Sequence, residues 1–389
     1  MENAQPYKIT MLPVKQGDCF FLEFVSGDKP FNIMIDCGPA EAWDTVKCFL
    51  DNLILQKKQI DILLLTHFDS DHIGGALAML REKQYRDLIK SVWHNSLEQI
   101  APAVWEDNSD VSEKAFRDIN QAYDRYRLPL PLEDGPVSAE ESITLSLAIK
   151  KYGMNVNTNS VTNETKQDPL GAGKDIIVDF LLPTKDRLDD LLEIFTSKLK
   201  AMNAKPAKTA IAMEAFEKLV LQPVTELTDG EIAASRPKAV DSSPTNAASI
   251  AVIIRFNGLK LFFPGDAVDR DLLPALTSWL EVNPKENLIF DIVKLPHHGS
   301  ARNCWRLLKN ENFAGRIYLV STNGFHYNHP DPETITQLKT KKFNEPYAIY
   351  FNDSDIMKAF SVPEPKDNPL CTIAVQKVIP QKITHEEDK

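Results

Sequence analysis

Short apolar runs recur along the chain at strand length, and they fall into two β-rich halves with amphipathic stretches between the strands. In the first half, Ile9 to Pro13, Cys19 to Val25, Asn32 to Asp36 and Ile60 to Thr66 read as strands, while Ala42 to Ile54 and Gly75 to Arg86 repeat at helical spacing. The run Ile60, Ile62, Leu63, Leu64, Leu65 is apolar on both faces, which predicts a strand covered on both sides. The second half predicts strands at Ile176 to Leu182, Ser249 to Phe256, Leu259 to Pro264, Phe290 to Leu295, Ile317 to Ser321, Tyr347 to Phe351 and Thr372 to Val378. Asn257-Gly258 between two of these runs is a two-residue hairpin signal, because both residues tolerate the positive φ that such a turn needs.

Two regions break this pattern. Leu97 to Lys151 is mostly helical by spacing, interrupted at Pro129, Pro131 and Pro136. Asp186 to Met202 and Ala207 to Val220 read as two amphipathic helices, the first with Leu188, Leu191, Leu192, Phe195 and Leu199 at helical intervals, and a polar stretch from Thr225 to Thr245 returns the chain to the strand pattern. Residues 184–245 therefore read as a helical insertion. It carries nine basic and nine acidic residues between Thr184 and Lys238, so it is not an electrostatic arm. A lid, a dimerisation hairpin or another protein-binding element, and simple decoration all fit it.

The chemistry concentrates at the end of the fourth predicted strand. Thr66-His67-Phe68-Asp69-Ser70-Asp71-His72-Ile73-Gly74-Gly75 places four potential metal ligands, His67, Asp69, Asp71 and His72, within six positions on a strand-to-helix turn. Such a turn at the carboxyl end of a buried strand aims several side chains into one crevice, and mixed imidazole and carboxylate ligands suit zinc, manganese or iron.

His-x-Asp-x-Asp-His-x-Gly-Gly resembles the His-x-His-x-Asp-His signature of the metallo-β-lactamase superfamily, and other landmarks agree in order. Met34-Ile35-Asp36-Cys37-Gly38 resembles its first motif, a strand ending in Asp and a Gly turn, and Phe262-Phe263-Pro264-Gly265-Asp266-Ala267 resembles the strand that delivers its bridging aspartate. More narrowly, Gln16-Gly17-Asp18, Asn246 to Ser249, Lys294-Leu295-Pro296-His297-His298-Gly299-Ser300 and Asn328-His329-Pro330 resemble the hydrolase domain of ComEC-type DNA-uptake proteins and their soluble stand-alone relatives. The resemblance spans about residues 7 to 95 and 174 to 378. It implies an α+β fold, an αββα sandwich, with all of residues 1–389 forming one such domain around the insertion.

The resemblance also implies two divalent metal ions, zinc or manganese, and assigns their ligands. His67 and Asp69 serve the first ion, Asp71 and His72 the second, and Asp266 bridges them. Asp69 stands where the superfamily has a histidine, and Asn246 lies in the region of a later histidine, so nitrogen ligation of the first site is reduced. His297 is the preferred compensating ligand, with His298 as the alternative, since neighbouring residues at a strand end point in different directions. His329 is expected as a second-site ligand or a proton donor, and Asp71 and His329 as the residues closest to catalysis. Asp36 is expected either to orient ligands from behind or simply to turn the Gly38 loop, whereas His94, His326 and His385 lack motif support and read as structural or surface residues. Paired cations lower the pKa of a bound water, so hydroxide becomes available near neutral pH to attack phosphorus or carbonyl carbon.

Charge and composition refine the substrate. A net charge of −11 argues against a protein that coats nucleic acid through a global positive field. Locally, Lys294, Arg302, Arg306, Lys309 and Arg316 face only Glu311 directly downstream of the paired histidines, a cluster that reads as a solvated helix face and would also suit a phosphate-bearing substrate. Ser300, Arg302 and Arg306 are the expected substrate contacts. The reading is thus a phosphodiesterase or nuclease, with a hydrolase of a small lactone or thioester as the alternative and a partner-dependent binding or signalling module as a third. No apolar run approaches a membrane span, and the N-terminus lacks a basic start followed by an apolar stretch, which points to a cytoplasmic protein without a membrane partner. The five cysteines, Cys19, Cys37, Cys48, Cys304 and Cys371, are scattered without a Cys-x-x-Cys pair, so they read as small hydrophobes and neither a disulfide framework nor a thiolate metal site.

Overall fold

A computed structural model describes residues 7–26, 29–100, 145–146, 148–165, 175–204, 240–324, 328–341, 347–360 and 373–375. The strands form two six-stranded sheets, of order β12-β1-β2-β3-β4-β5 and β11-β10-β9-β8-β7-β6. In the first sheet, β1 (Tyr7–Met11), β2 (Phe20–Ser26) and β3 (Lys29–Ile35) are antiparallel neighbours, β4 (Ile62–Leu64) and β5 (Val92–Trp93) continue in parallel, and β12 (Ile373–Val375) pairs in parallel with β1. In the second, β6 (Ile176–Leu182), β7 (Ala251–Phe256) and β8 (Leu259–Phe263) run antiparallel, and β9 (Ile289–Lys294), β10 (Ala314–Val320) and β11 (Ala348–Phe351) extend β8 in parallel.

The period-2 alternation sorts the apolar side chains into layers. Phe20, Leu22, Phe24, Ile33, Ile35, Ile62 and Leu64 meet Val252, Ile254, Phe256, Leu261, Phe263 and Leu319 between the sheets. The alternate residues Phe21, Met34 and Leu63 pack outward against the helices Trp43–Leu55 and Ser70–Arg81, which contribute Val46, Leu50, Ile73, Leu77 and Leu80. On the far side, Ile253, Phe262, Val293 and Tyr318 pack against the helices Asp269–Val282, Ala301–Lys309 and Pro332–Thr340. The result is the expected αββα sandwich. Both sheets are covered on both faces, which is why their strands are apolar at consecutive positions. Across the central layer Phe20 meets Phe263 edge-on at 5.3 Å between centroids, a contact worth about 0.5–1.5 kcal/mol beyond the area it buries.

Asn257 and Gly258 take φ 48° and 83° and close the β7–β8 hairpin, with Phe256 opposite Leu259. Other boundaries differ from the sequence reading. The fourth strand is regular only over Ile62–Leu64. The helix expected at Gly75 to Arg86 starts at Ser70 and breaks at Glu82, so Asp71 and His72 lie in its first turn and not in the preceding loop. The first insertion helix is present as Lys185–Ala204, whereas Ala207 to Val220 and most of Leu97 to Lys151 fall outside the described residues. Among the described residues no helix is long and apolar enough to cross a membrane.

The parallel arrangement positions the site. The carboxyl ends of β3 and β4 on one sheet, and of β8, β9 and β10 on the other, open on the same edge of the sandwich. Crevices at such ends are where open α/β sheets bind ligands.

Candidate metal centre

Asp36 anchors the first side of this crevice. It leaves β3 with φ 56°, a conformation that Asp tolerates better than most residues. Its Oδ1 accepts from the Thr66 amide at 2.7 Å, and its Oδ2 accepts from Thr66 Oγ1 at 2.7 Å and faces His72 Nδ1 at 2.8 Å. A carboxylate on one imidazole nitrogen fixes the ring so that the other nitrogen points at a metal position. The helix carrying His72 must pass very close to the β3 turn. A Cβ on Gly75 would lie 2.1 Å from Cys37 O, and one on Gly17 1.9 Å from Asp71 O, so these glycines are required by close backbone approach.

The second sheet supplies Asp266 after β8 and His297 and His298 after β9. Asp266 divides its two oxygens. Its Oδ2 lies 3.8 Å from His67 Nε2, 3.4 Å from His72 Nε2, 3.8 Å from His297 Nε2 and 3.5 Å from His298 Nε2. Its Oδ1 accepts from Lys294 Nζ at 3.1 Å. His298 Nδ1 is 2.8 Å from the Ser321 carbonyl, which can only accept, so Nδ1 carries a proton and Nε2 faces the crevice. There it lies 3.2 Å from Asp71 Oδ2.

These contacts form overlapping groups able to hold an ion, namely His67, His72 and Asp266; Asp71, His72 and His298; Asp18, Asp266 and His298; and Asp18, Asp36 and His72. The Nε2 atoms of His67 and His72 are buried and have no hydrogen-bond partner, an arrangement costly to leave unfilled. The donor set, imidazole nitrogens converging on a carboxylate oxygen, therefore fits divalent cations.

Electrostatics agree. Burial opposes charge on His298, yet Asp266 and Asp18 raise its pKa to about 10, and Asp266 and Asp36 likewise push His72 well above its ordinary value against burial. Burial would raise Asp266, but Lys294 and the surrounding imidazoles hold it well below the usual carboxylate range. Asp71 is lowered in the same way, by His72 and His298 against burial. The carboxylates thus demand positive charge at the centre of the crevice.

The other expected site residues are placed less centrally. Asp69 lies 3.6 Å from His67 Nε2 with its side chain one-third exposed. His297 is 22% exposed, with Nδ1 3.4 Å from Asp241 Oδ2 and 3.1 Å from Asn303 Oδ1, and its approach to the centre is through Asp266. Asn246 donates to Asp241 at 2.7 Å, and its buried Oδ1 has no partner. His329 pairs with Asp331 at 3.2 Å and meets the His297 ring at 5.2 Å, outside the ion-holding groups. The geometry therefore brings His298 into the tightest groups, ahead of the sequence preference for His297. The alternation argument does not reach these residues, because His297 and His298 take φ 45° and 53° and have left the strand conformation.

The basic cluster separates. Lys294 is buried in the centre, Arg316 pairs with Asp291 at 2.6 Å, and Ser300 is buried at the start of the helix Ala301–Lys309. Arg302, Arg306 and Lys309 are exposed on that helix. Three central groups escaped the sequence reading. Asp18 had a signal in Gln16-Gly17-Asp18, Lys294 had one in the paired-histidine motif, and Asp241 had none. His94 is buried, and desolvation lowers it to about 4, which keeps it neutral near pH 7 as a structural residue. Cys19, Cys37 and Cys304 are free and buried, and burial pushes their thiols up, so they are inert.

Residues 12–145 match the family model described as the Metallo-beta-lactamase superfamily. No curated protein matches the chain. The matched span contains Asp18, Asp36, His67, Asp69, Asp71 and His72, whereas Asp266, Lys294 and His298 join the site through the geometry above.

Proposed function

We propose that this chain, whose residues 12–145 match the Metallo-beta-lactamase superfamily model and whose His/Asp clusters suit metal, is a metal-dependent hydrolase that holds two ions and cleaves phosphodiester bonds. The observation that carries the two-ion reading is the single Asp266 oxygen facing four imidazole Nε2 atoms at 3.4–3.8 Å. In this reading His67 and Asp69 would hold one ion, Asp71, His72 and His298 would hold the other, and Asp266 would serve both. Bound divalent ions supply a Lewis acid for the substrate oxygen and a water that ionises near neutral pH. The protein's part is positional. Asp36 and the Ser321 carbonyl each hold one nitrogen of an imidazole, which fixes where the other nitrogen points. Asp69, Asp71 and Asp266 make the donor set rich in hard oxygen, so manganese competes with zinc.

The phosphodiester reading is supported by Arg302, Arg306 and Lys309, exposed on the helix that begins directly after His297-His298-Gly299-Ser300. It is supported also by the resemblance of these motifs to the hydrolase domain of ComEC-type DNA-uptake proteins. Elemental analysis after saturation with zinc or manganese is expected to give about two ions per chain. The loaded protein is expected to cleave bis-p-nitrophenyl phosphate and single-stranded DNA or RNA. Turnover confined to lactones or thioesters would replace the phosphodiester reading, and full metal occupancy without any turnover would favour a partner-dependent binding module.

The arginines provide a separate test. Neutralising Arg302 and Arg306 together should raise the Michaelis constant for an oligonucleotide. It should also flatten the log–log salt slope by roughly 1.4, the counterion release expected for two single-strand phosphate contacts. A minimal diester has no backbone to hold, so its turnover should change little. Equal losses on both substrates would mean that the site itself had been damaged.

A further inference from the structure

Lys294 is buried at the heart of the centre although it is a cation in a place built to receive cations. An ammonium has three protons to donate, and here they meet three acceptors. Lys294 Nζ donates to the Gly265 carbonyl at 2.9 Å, to Asp266 Oδ1 at 3.1 Å and to Asp18 Oδ2. Leaving such a group unpaired in the interior is strongly unfavourable, so the three acceptors hold it in one position. Those acceptors come from both halves of the sandwich: Asp18 precedes β2, while Gly265 and Asp266 follow β8.

The consequence falls on Asp266. A free carboxylate can turn about its Cβ–Cγ bond and offer both oxygens to one ion. In this chain Oδ1 is already engaged by Lys294, and Oδ2 alone faces the four imidazoles. The same ammonium engages Oδ2 of Asp18, itself a member of two of the ion-holding groups. We propose that Lys294 is a positioning residue: by reserving Oδ1 of Asp266, it makes that carboxylate a one-oxygen bridge and blocks chelation of a single ion through both oxygens. The inference rests on the reading of Asp266 as a shared ligand.

Cobalt(II) titration followed by visible absorption tests it, because d–d band position and intensity report coordination number and geometry directly. The wild-type protein is expected to take up two cobalt ions. Lys294→Met should still bind cobalt, with shifted and weakened bands as Asp266 adds its second oxygen and raises the coordination number. Since Lys294→Met leaves Asp18 without its buried counter-ion, the double variant Lys294→Met/Asp18→Asn is measured beside it and should show the same rise in coordination number. Asp18 belongs to two of the ion-holding groups, so Asp18→Asn alone has its own effect on the bands, but it retains the ammonium on Asp266 and should lack the rise in coordination number. A folded Lys294→Met or double variant with a wild-type spectrum would overturn the positioning role while leaving the two-ion reading intact. So would the same rise in coordination number in Asp18→Asn alone. Failure of the wild-type protein to bind two ions would instead defeat the two-ion reading, and the positioning role with it.

Discussion

Asp266→Ala should abolish hydrolysis in a protein that still folds. Its Oδ2 is the atom on which four imidazoles from both sheets converge, so in the proposed two-ion centre removing it takes away the shared ligand and not one contact among equals. The fold should survive because Asp266 follows β8 in a turn, and because Lys294, its buried partner, keeps Asp18 and the Gly265 carbonyl as acceptors. The loss in turnover should be at least on the order of 10²–10³-fold, the scale seen when one preorganised electrostatic group is deleted from an active site. Ion content should fall below two per chain. Steady-state assays, elemental analysis and a thermal melt on the same preparation check the three parts together. Near-normal turnover by a folded variant would mean that the catalytic centre lies elsewhere.

The sequence carried much of this site because its local signals are strong. Both sheets are buried on both faces, so runs such as Ile62 to Leu65 and Ile250 to Ile254 are apolar throughout and leave little ambiguity about strand character. The His67 to His72 cluster and Asp36 each sit at the end of such a run, which fixes them at one edge of a sheet. What escaped was set by tertiary pairing. β5 is only two residues long and exists because it can pair with β4. Lys294 reads as part of a basic run, but its position at the end of β9 turns it inward onto Asp18, a residue from the other half of the chain. Asp241 lies in a polar stretch that resembles any loop, and its role follows only from the approach of Asn246, His297 and Asn303 in space. The helix start at Ser70 was obscured because Gly74 and Gly75 weaken helical propensity. Packing against Cys37 and Ala40 demands glycine there.

The two adjacent histidines should separate by experiment. His298 places Nε2 3.2 Å from Asp71 and 3.5 Å from Asp266, and the Ser321 carbonyl holds its other nitrogen. His297 is more exposed, shares Nδ1 between Asp241 and Asn303, and reaches the centre only at 3.8 Å. His298→Ala should therefore lower ion content from about two to about one per chain and reduce turnover on the order of 10²–10³-fold, the loss expected for a group acting directly at the centre. His297→Ala should retain about two ions and lose roughly 10–100-fold, the range for a group that orients or supports the ligands. Both substitutions sit outside the central apolar layer, and a thermal melt on each variant separates loss of fold from loss of a ligand. Elemental analysis paired with kinetics reads the split. The opposite order, with ion loss confined to His297→Ala, would return the ligand role to His297 and leave His298 as a neighbour of Asp71 without a metal.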